Sequence, residues 1–219
     1  TVGPATLTFT EDNWNTPQTV TVTGVDDNNS DGHQDYDISL SAAVVSSTSK
    51  ALDFDGTNDF VAADGVTSNL DSSTGLPFTV SAWAYPDTTT RGAIFAFNKS
   101  GAANLNLLYY AEDGSTKKFY HYGTTSIVGE SENTFELGQW HHIVVAVDSS
   151  GNGKMFVNGE EEDTWSNGTN TSVNRFSIGQ EYDGTGSTPS DFFDGKIDEV
   201  AVWNAALSAA DVSALYNSG

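Results

Sequence analysis

Short runs in which apolar and polar residues alternate dominate the chain from Ala51 onward. They fall at Leu52–Asp55, Phe60–Ala62, Phe78–Tyr85, Ala93–Asn98, Leu105–Tyr110, Lys117–Tyr122, His141–Asp148, Lys154–Asn158, Phe176–Gly179 and Ile197–Trp203. Successive side chains on a strand point to opposite faces, so a period of two means one buried face and one wet face. Asp55-Gly56, Asp113-Gly114, Gly151-Asn152-Gly153 and Asn158-Gly159 supply turns between runs. Short strands at such spacing predict an all-β fold, an antiparallel β-sandwich. Asn158-Gly159, directly after Lys154–Val157, predicts a tight hairpin. Near the end the period changes. Ser208-Ala209-Ala210-Asp211 is a capping box, opening a short helix with Val212, Leu215 and Tyr216 on one face. That helix is expected to pack across the sandwich edge.

Residues 1–46 have their own character. Leu7–Thr10, Thr19–Thr23 and Tyr36–Leu40 alternate apolar residues with polar ones, and an acidic turn holding Asp26, Asp27 and Asp31 separates the last two. Three such strands cannot make a stable sandwich alone, so they read as the C-terminal part of an upstream one. Residues 47–50 read as a linker and 51–219 as the main domain.

Composition narrows the partners. The 219 residues carry 30 acidic against 8 basic side chains, a net charge of −22, and no cysteine. Such a charge repels nucleic-acid phosphates and anionic membrane surfaces, and leaves divalent cations and neutral ligands. An acidic surplus also simply keeps a protein soluble. Without cysteine there is no disulfide framework and no thiolate zinc site. No run has the apolar length of a membrane helix, and the N-terminus carries no targeting segment. The chain reads as a piece of a longer one, with flanking domains.

The chemistry concentrates in the stretch from Ile178 to Trp203. Glu181 and Asp183 lie two apart between Gly179 and Gly184, with Asp191 and Asp194 further along. Oxygen ligands at alternate positions on a kinked backbone suit Ca²⁺, which takes six to eight oxygens at about 2.3–2.6 Å, main-chain carbonyls among them. On spacing alone, a solvated acidic loop remains equally open.

Catalytic arrangements are poorly supported. Glycoside hydrolysis needs two carboxyls flanking a cleft, and the nearest acids, Glu160–Asp163 and Glu130/Glu132, sit in loop-like stretches. His141 and His142 are adjacent on a strand, point to opposite faces and cannot ligate one metal. No serine has a G-x-S-x-G setting and no glycine loop cradles phosphate. Tyr109, Tyr110, Phe119, Tyr120 and Tyr122 cluster on neighbouring strands, and Trp165 falls in a polar stretch. Alternation sends about half of them to the core. Tyr182, and Tyr110 or Tyr109, whichever faces the acidic loop, are candidates for stacking on a sugar.

The ordered set ALDFDGTNDFV, FTVSAWAYPDTTTRGAIFAFNKSG, GQWHHIVVAVDSSGNGKMFVNGE and IGQEYDGTG…DGKIDEVAVWNAALSAADVSALY resembles the laminin-G/pentraxin jelly roll, a concanavalin A-like sandwich, over residues 51–219. The resemblance implies a Ca²⁺ site in which Glu181, the Tyr182 carbonyl and Asp183 are ligands, joined by Asn104. The aspartate that precedes this asparagine in pentraxins is Ala103 here. For a second ion, Ser190 falls on the ligand position, with Asp191 beside it as substitute, so one ion is expected rather than two. The family's disulfide positions correspond to Ser81 and Val144. Asp55 and Asp198 fall on strands that jelly rolls place side by side; a shared structural Ca²⁺ and two solvated aspartates are both open. The stretch LTFTEDNWNTPQTVTVTGVDDNNSDG resembles the closing strands of Calx-beta-like extracellular repeats. Together these resemblances imply a non-catalytic, calcium-dependent carbohydrate-binding domain, secreted or on the cell surface, within a large bacterial adhesin. A calcium-stiffened spacer and a polysaccharide-active enzyme are the alternatives.

Overall fold

The computed structural model describes residues 2–4, 7, 18–23, 50–100, 102–113, 116–123, 126–166, 172–183 and 188–218. The chain forms two compact units, residues 1–47 and 48–219. In the first, β1 (Val2–Gly3) pairs antiparallel with β2 (Thr21–Val22), Val2 opposite Val22. Thr8–Thr10, Tyr36–Leu40, Asp26, Asp27 and Asp31 lie outside the described residues.

The second unit contains β3 (Leu52–Asp55), β4 (Val61–Ala62), β5 (Phe78–Pro86), β6 (Gly92–Lys99), β7 (Ala102–Asp113) and β8 (Thr116–Gly123). It continues with β9 (Ser126–Glu130), β10 (His141–Val147), β11 (Gly153–Val157), β12 (Glu160–Trp165), β13 (Arg175–Ile178), β14 (Glu181–Asp183), β15 (Thr188–Ser190), β16 (Asp194–Trp203) and α1 (Ala209–Ser218). A front sheet in the order β4-β13-β6-β7-β8-β9 and a back sheet in the order β12-β11-β10-β5-β16-β3 make the expected antiparallel sandwich. Alternation sets which side chains meet between them. Phe78, Val80, Ala82 and Ala84 of β5, Ile143, Val145 and Val147 of β10, and Phe95, Phe97, Leu108 and Tyr110 of the front sheet share one core. Ala93, Ala96, Leu107, Tyr109 and Tyr120, from the opposite parity, form a separate apolar layer on the outer face of the front sheet.

Several expectations are met residue by residue. Asn158 and Gly159 have φ of 53° and 83°, the paired positive angles of a primed hairpin turn between β11 and β12. The Asp211 carboxylate accepts from Ser208 N and Oγ, and Ser208 Oγ accepts from Asp211 N, closing the capping box. His141 and His142 part as expected. His141 lies beside the Phe119 and Phe135 rings, while His142 bonds Ser81 Oγ at 2.8 Å. Ser81 and Val144 are directly opposite one another in the β5–β10 ladder.

Other expectations are corrected. Helix α1 covers a face rather than an edge: Val212 packs with Leu207 on Val144 and Phe156, apolar residues that β10 and β11 point outward. Of the two readings open for Asp55 and Asp198, the ladder removes the shared ion: Asp55 lies opposite Asp194, whereas Asp198 lies opposite Trp83, four residues or about 13 Å along the strand. Glu160–Asp163 is strand, not loop. Its Glu162 carboxylate is buried and accepts from Asn133 N and Nδ2, and Trp165 is buried against the Gly129 and Gly153 backbone. A register shift beside Met155 and Phe156 hides the alternation of this strand from a reading by period.

Candidate functional site

The acidic stretch is held to the front sheet by its own backbone. Gly179, just after β13, has φ of 82°, and a Cβ there would sit 2.4 Å from the Phe54 ring. Only glycine meets both conditions without strain. Its N–H donates to Ile94 O at 3.1 Å, and its carbonyl accepts from Phe193 N at 2.9 Å. On the returning arm, Asp191 O accepts from Ala93 N at 2.8 Å. The two arms pair as β14 and β15, with Glu181 opposite Ser190.

These constraints bring Glu181 and Asp191 to one place, with Asp183 exposed at the end of β14. Glu181 is 3 % exposed. Its Oε1 accepts from Arg91 Nη2 at 3.3 Å, and Asp191 Oδ2 accepts from Arg91 Nε at 2.6 Å. One guanidinium thus bridges the Glu181 and Asp191 carboxyls. Burial above all, then the neighbouring Asp191 carboxyl and the Asp183 charge, push Glu181 up to about 8, with Arg91 pulling the other way. Glu181 Oε2 and Ser190 Oγ are buried without a partner among the described residues. The Arg91 guanidinium rests on the Tyr109 ring, 4.6 Å from its centroid. One arginine thus answers two carboxylates.

The other expected ligands divide. The Tyr182 carbonyl accepts from Asn98 Nδ2 at 3.0 Å, while its ring lies under the Arg175 guanidinium at 4.4 Å and edge-on to Phe60. Asn104 lies on β7 opposite the irregular stretch of β6 at Asn98 and Lys99; its side chain is outside the described residues. Tyr110 is corrected. It is 1 % exposed, part of the core, and its hydroxyl donates to Phe135 O at 2.6 Å, so it presents no ring to a ligand. Tyr109, of opposite parity, is the tyrosine that faces the acidic loop.

Arg91, Asn98 and Tyr109 complete the site; Arg91 and Asn98 are not among the sequence-derived candidates, and Tyr109 is there as the alternative to Tyr110. Arg91 leaves one signal in the sequence, as one of 8 basic residues standing at the start of an apolar strand.

Whether a hard cation suits these residues follows from the same geometry. Among the described residues no group of three or more His, Asp or Glu side chains is gathered to cage an ion by itself. Two carboxyls bridged by one guanidinium, an orphaned buried carboxylate oxygen and the Tyr182 carbonyl nevertheless make an oxygen-rich donor set. That chemistry fits calcium, with water completing the shell. Arg91 is its internal competitor.

The family described as the concanavalin A-like lectin/glucanases superfamily matches residues 55–213. Comparison with curated proteins gives no match. Among solved structures, a native heptameric SAP-like pentraxin from Limulus polyphemus is similar with a TM-score of 0.59 and 23 % identity, over 75 % of this chain and 80 % of that one. The CBM40 of the Ruminococcus gnavus IT-sialidase is similar at 0.57 and 14 %, over 77 % and 97 %. Domain 4 of AbnA, a GH43 extracellular arabinanase from Geobacillus stearothermophilus solved with arabinotriose, is similar at 0.50 and 22 %, over 76 % and 87 %. At these identities the likeness is one of fold.

Proposed function

The chain belongs to the concanavalin A-like lectin/glucanases superfamily, and from that premise we propose that its second unit binds carbohydrate through a calcium ion held at Glu181. The observation that carries this reading is the pairing of Glu181 and Asp191 on one arginine beside Tyr109, with a buried Glu181 carboxylate oxygen left without a partner among the described residues. Glu181 and Asp191 supply the charged ligands, Asp183 and the Tyr182 carbonyl the flanking oxygens, and Asn104 a neutral one from β7. A bound calcium ion offers open coordination positions to a pair of sugar hydroxyls, or to a carboxylate. Tyr182, partly exposed, supplies aromatic surface beside the ion. The carbohydrate-binding module and the arabinotriose-bound domain among the similar folds support a sugar ligand in general.

The unit is non-catalytic in this reading. Glycoside hydrolysis acts through two carboxyls placed on either side of the scissile bond, whereas Glu181 and Asp191 are both tied to the same Arg91 guanidinium. The parent protein is extracellular, secreted or on the cell surface, and the first unit is the closing part of a repeat that precedes this domain in a longer adhesin. A glycan array tests the function. A set of glycans is expected to be held in millimolar calcium and released by EDTA. If EDTA releases none, the reading fails; calcium-dependent thermal stabilisation with no glycan held would make the unit a stiffened spacer.

A further inference from the structure

On the back sheet, the same alternation that fills the core points Ser81 and Trp83 of β5 and His142 of β10 outward, with His142 opposite Trp83 in the ladder. A bulge follows on β16. Between Asp198, opposite Trp83, and Ala201, opposite Ser81, the strand carries two residues where β5 carries one. Glu199, in that bulge, has φ of 49°, a left-handed angle that a non-glycine residue rarely adopts. Bulges re-aim side chains and are common beside sites, and backbone strain of this kind persists where the surroundings enforce it.

The result is a cleft of about 330 Å³ lined by Ser81, Trp83, His142, Glu199, Trp203 and Leu215, among others. Its size is within the range of small-ligand sites, roughly 300–1,000 Å³. His142 Nε2 and Ser81 Oγ are bonded at 2.8 Å, and His142 Nδ1 is buried without a partner among the described residues. An unheld Nδ1 lacks the third group that orients a catalytic base, which makes the pair a recognition element rather than a nucleophile. Trp83 is braced by Tyr216 of α1, stacked 5.8 Å away at 27°.

We propose that this cleft is a second saccharide site, independent of calcium, on the face of the sandwich opposite Glu181, and that it takes neutral sugars. The indole faces of Trp83 and Trp203 offer apolar surface to the C–H side of a sugar ring. Glu199 accepts hydroxyl hydrogens, and the neutral Ser81–His142 pair offers donor and acceptor atoms. No lysine or arginine lines the cleft, and Glu199 together with the net charge of −22 repels acidic sugars. One unit would then hold two glycans on opposite faces, which raises avidity for a polysaccharide without further contacts.

Tryptophan fluorescence titrations in EDTA test this directly, with glucose, galactose, mannose, arabinose and xylose, their trisaccharides, and sialyllactose as the acidic control. Leaving calcium out makes the result independent of the Glu181 site. Binding of at least one neutral sugar is expected, retained in the Glu181→Ala/Asp183→Ala variant and weakened about tenfold or more by Glu199→Gln and by Trp203→Ala. Glu199 is exposed, so its variant keeps the test valid if Trp203→Ala fails to fold. Silence across the neutral sugars, preference for sialyllactose, or unchanged binding in Glu199→Gln would overturn the proposal.

Discussion

Between pH 7 and pH 4 the sandwich is expected to lose about 3 kcal/mol of stability through His121 alone. The ring is 0 % exposed, stacked on Trp165 at 5.1 Å, with neither nitrogen partnered among the described residues. Burial holds its pKa at about 3, against an ordinary 6.5. A base whose folded pKa is depressed is protonated first in the unfolded chain. The stability it allows is therefore complete above about 6.5 and is lost as pH falls toward 3. His141 and His142, also lowered chiefly by burial, act in the same direction. Glu181 opposes them. Its carboxyl, raised to about 8, takes up a proton in the folded state first, so acidification from about 8 to 4.5 strengthens the fold there. Urea denaturation of the protein and of His121→Leu at both pH values isolates the histidine. The difference in stability between the two should shift by about 3 kcal/mol in favour of the variant at pH 4. A constant difference would mean that His121 is solvated. Against a typical total of about 5–15 kcal/mol, the effect is large.

The second large effect concerns the ion. Glu181→Ala removes a buried charged ligand, and calcium affinity follows the charge of the ligand set. A loss of about a hundredfold or more, roughly 3 kcal/mol, is expected by calorimetry. Arg91→Ala should act in the opposite direction. Its guanidinium neutralises Glu181 and Asp191 and must leave when a cation enters. The side chain is 43 % exposed, so screening reduces the Coulomb term and about a tenfold gain in affinity is expected. Equal calcium affinity in all three proteins would place the ion elsewhere.

The sandwich is legible because its central strands put apolar residues at nearly every inward position. Phe78–Tyr85 and His141–Asp148 match β5 and β10 within one residue: β5 alternates, while β10 is apolar on both faces after its two histidines because α1 covers its outer side. The strands that escaped, β9, β12, β14 and β15, are short, bulged or built of polar residues whose burial depends on distant partners, as Glu162 depends on Asn133. The site shows the same division. Glu181 and Asp183 were visible as alternate acids beside glycine, because their spacing is local. Arg91 and Asn98 were not, since they reach the loop from β6 and the turn before it, across about ninety residues of sequence for Arg91. Choosing between Tyr109 and Tyr110 needed the strand's parity, which a bulge between Ala93 and Phe95 and another at Asn98 obscure.

Crystals grown in millimolar calcium address the ion most directly. Density for a cation between Glu181 and Asp191, ringed by oxygens at about 2.3–2.6 Å, with the Arg91 side chain turned away, is the predicted result. A guanidinium still bridging both carboxylates, with no such density, would contradict the account.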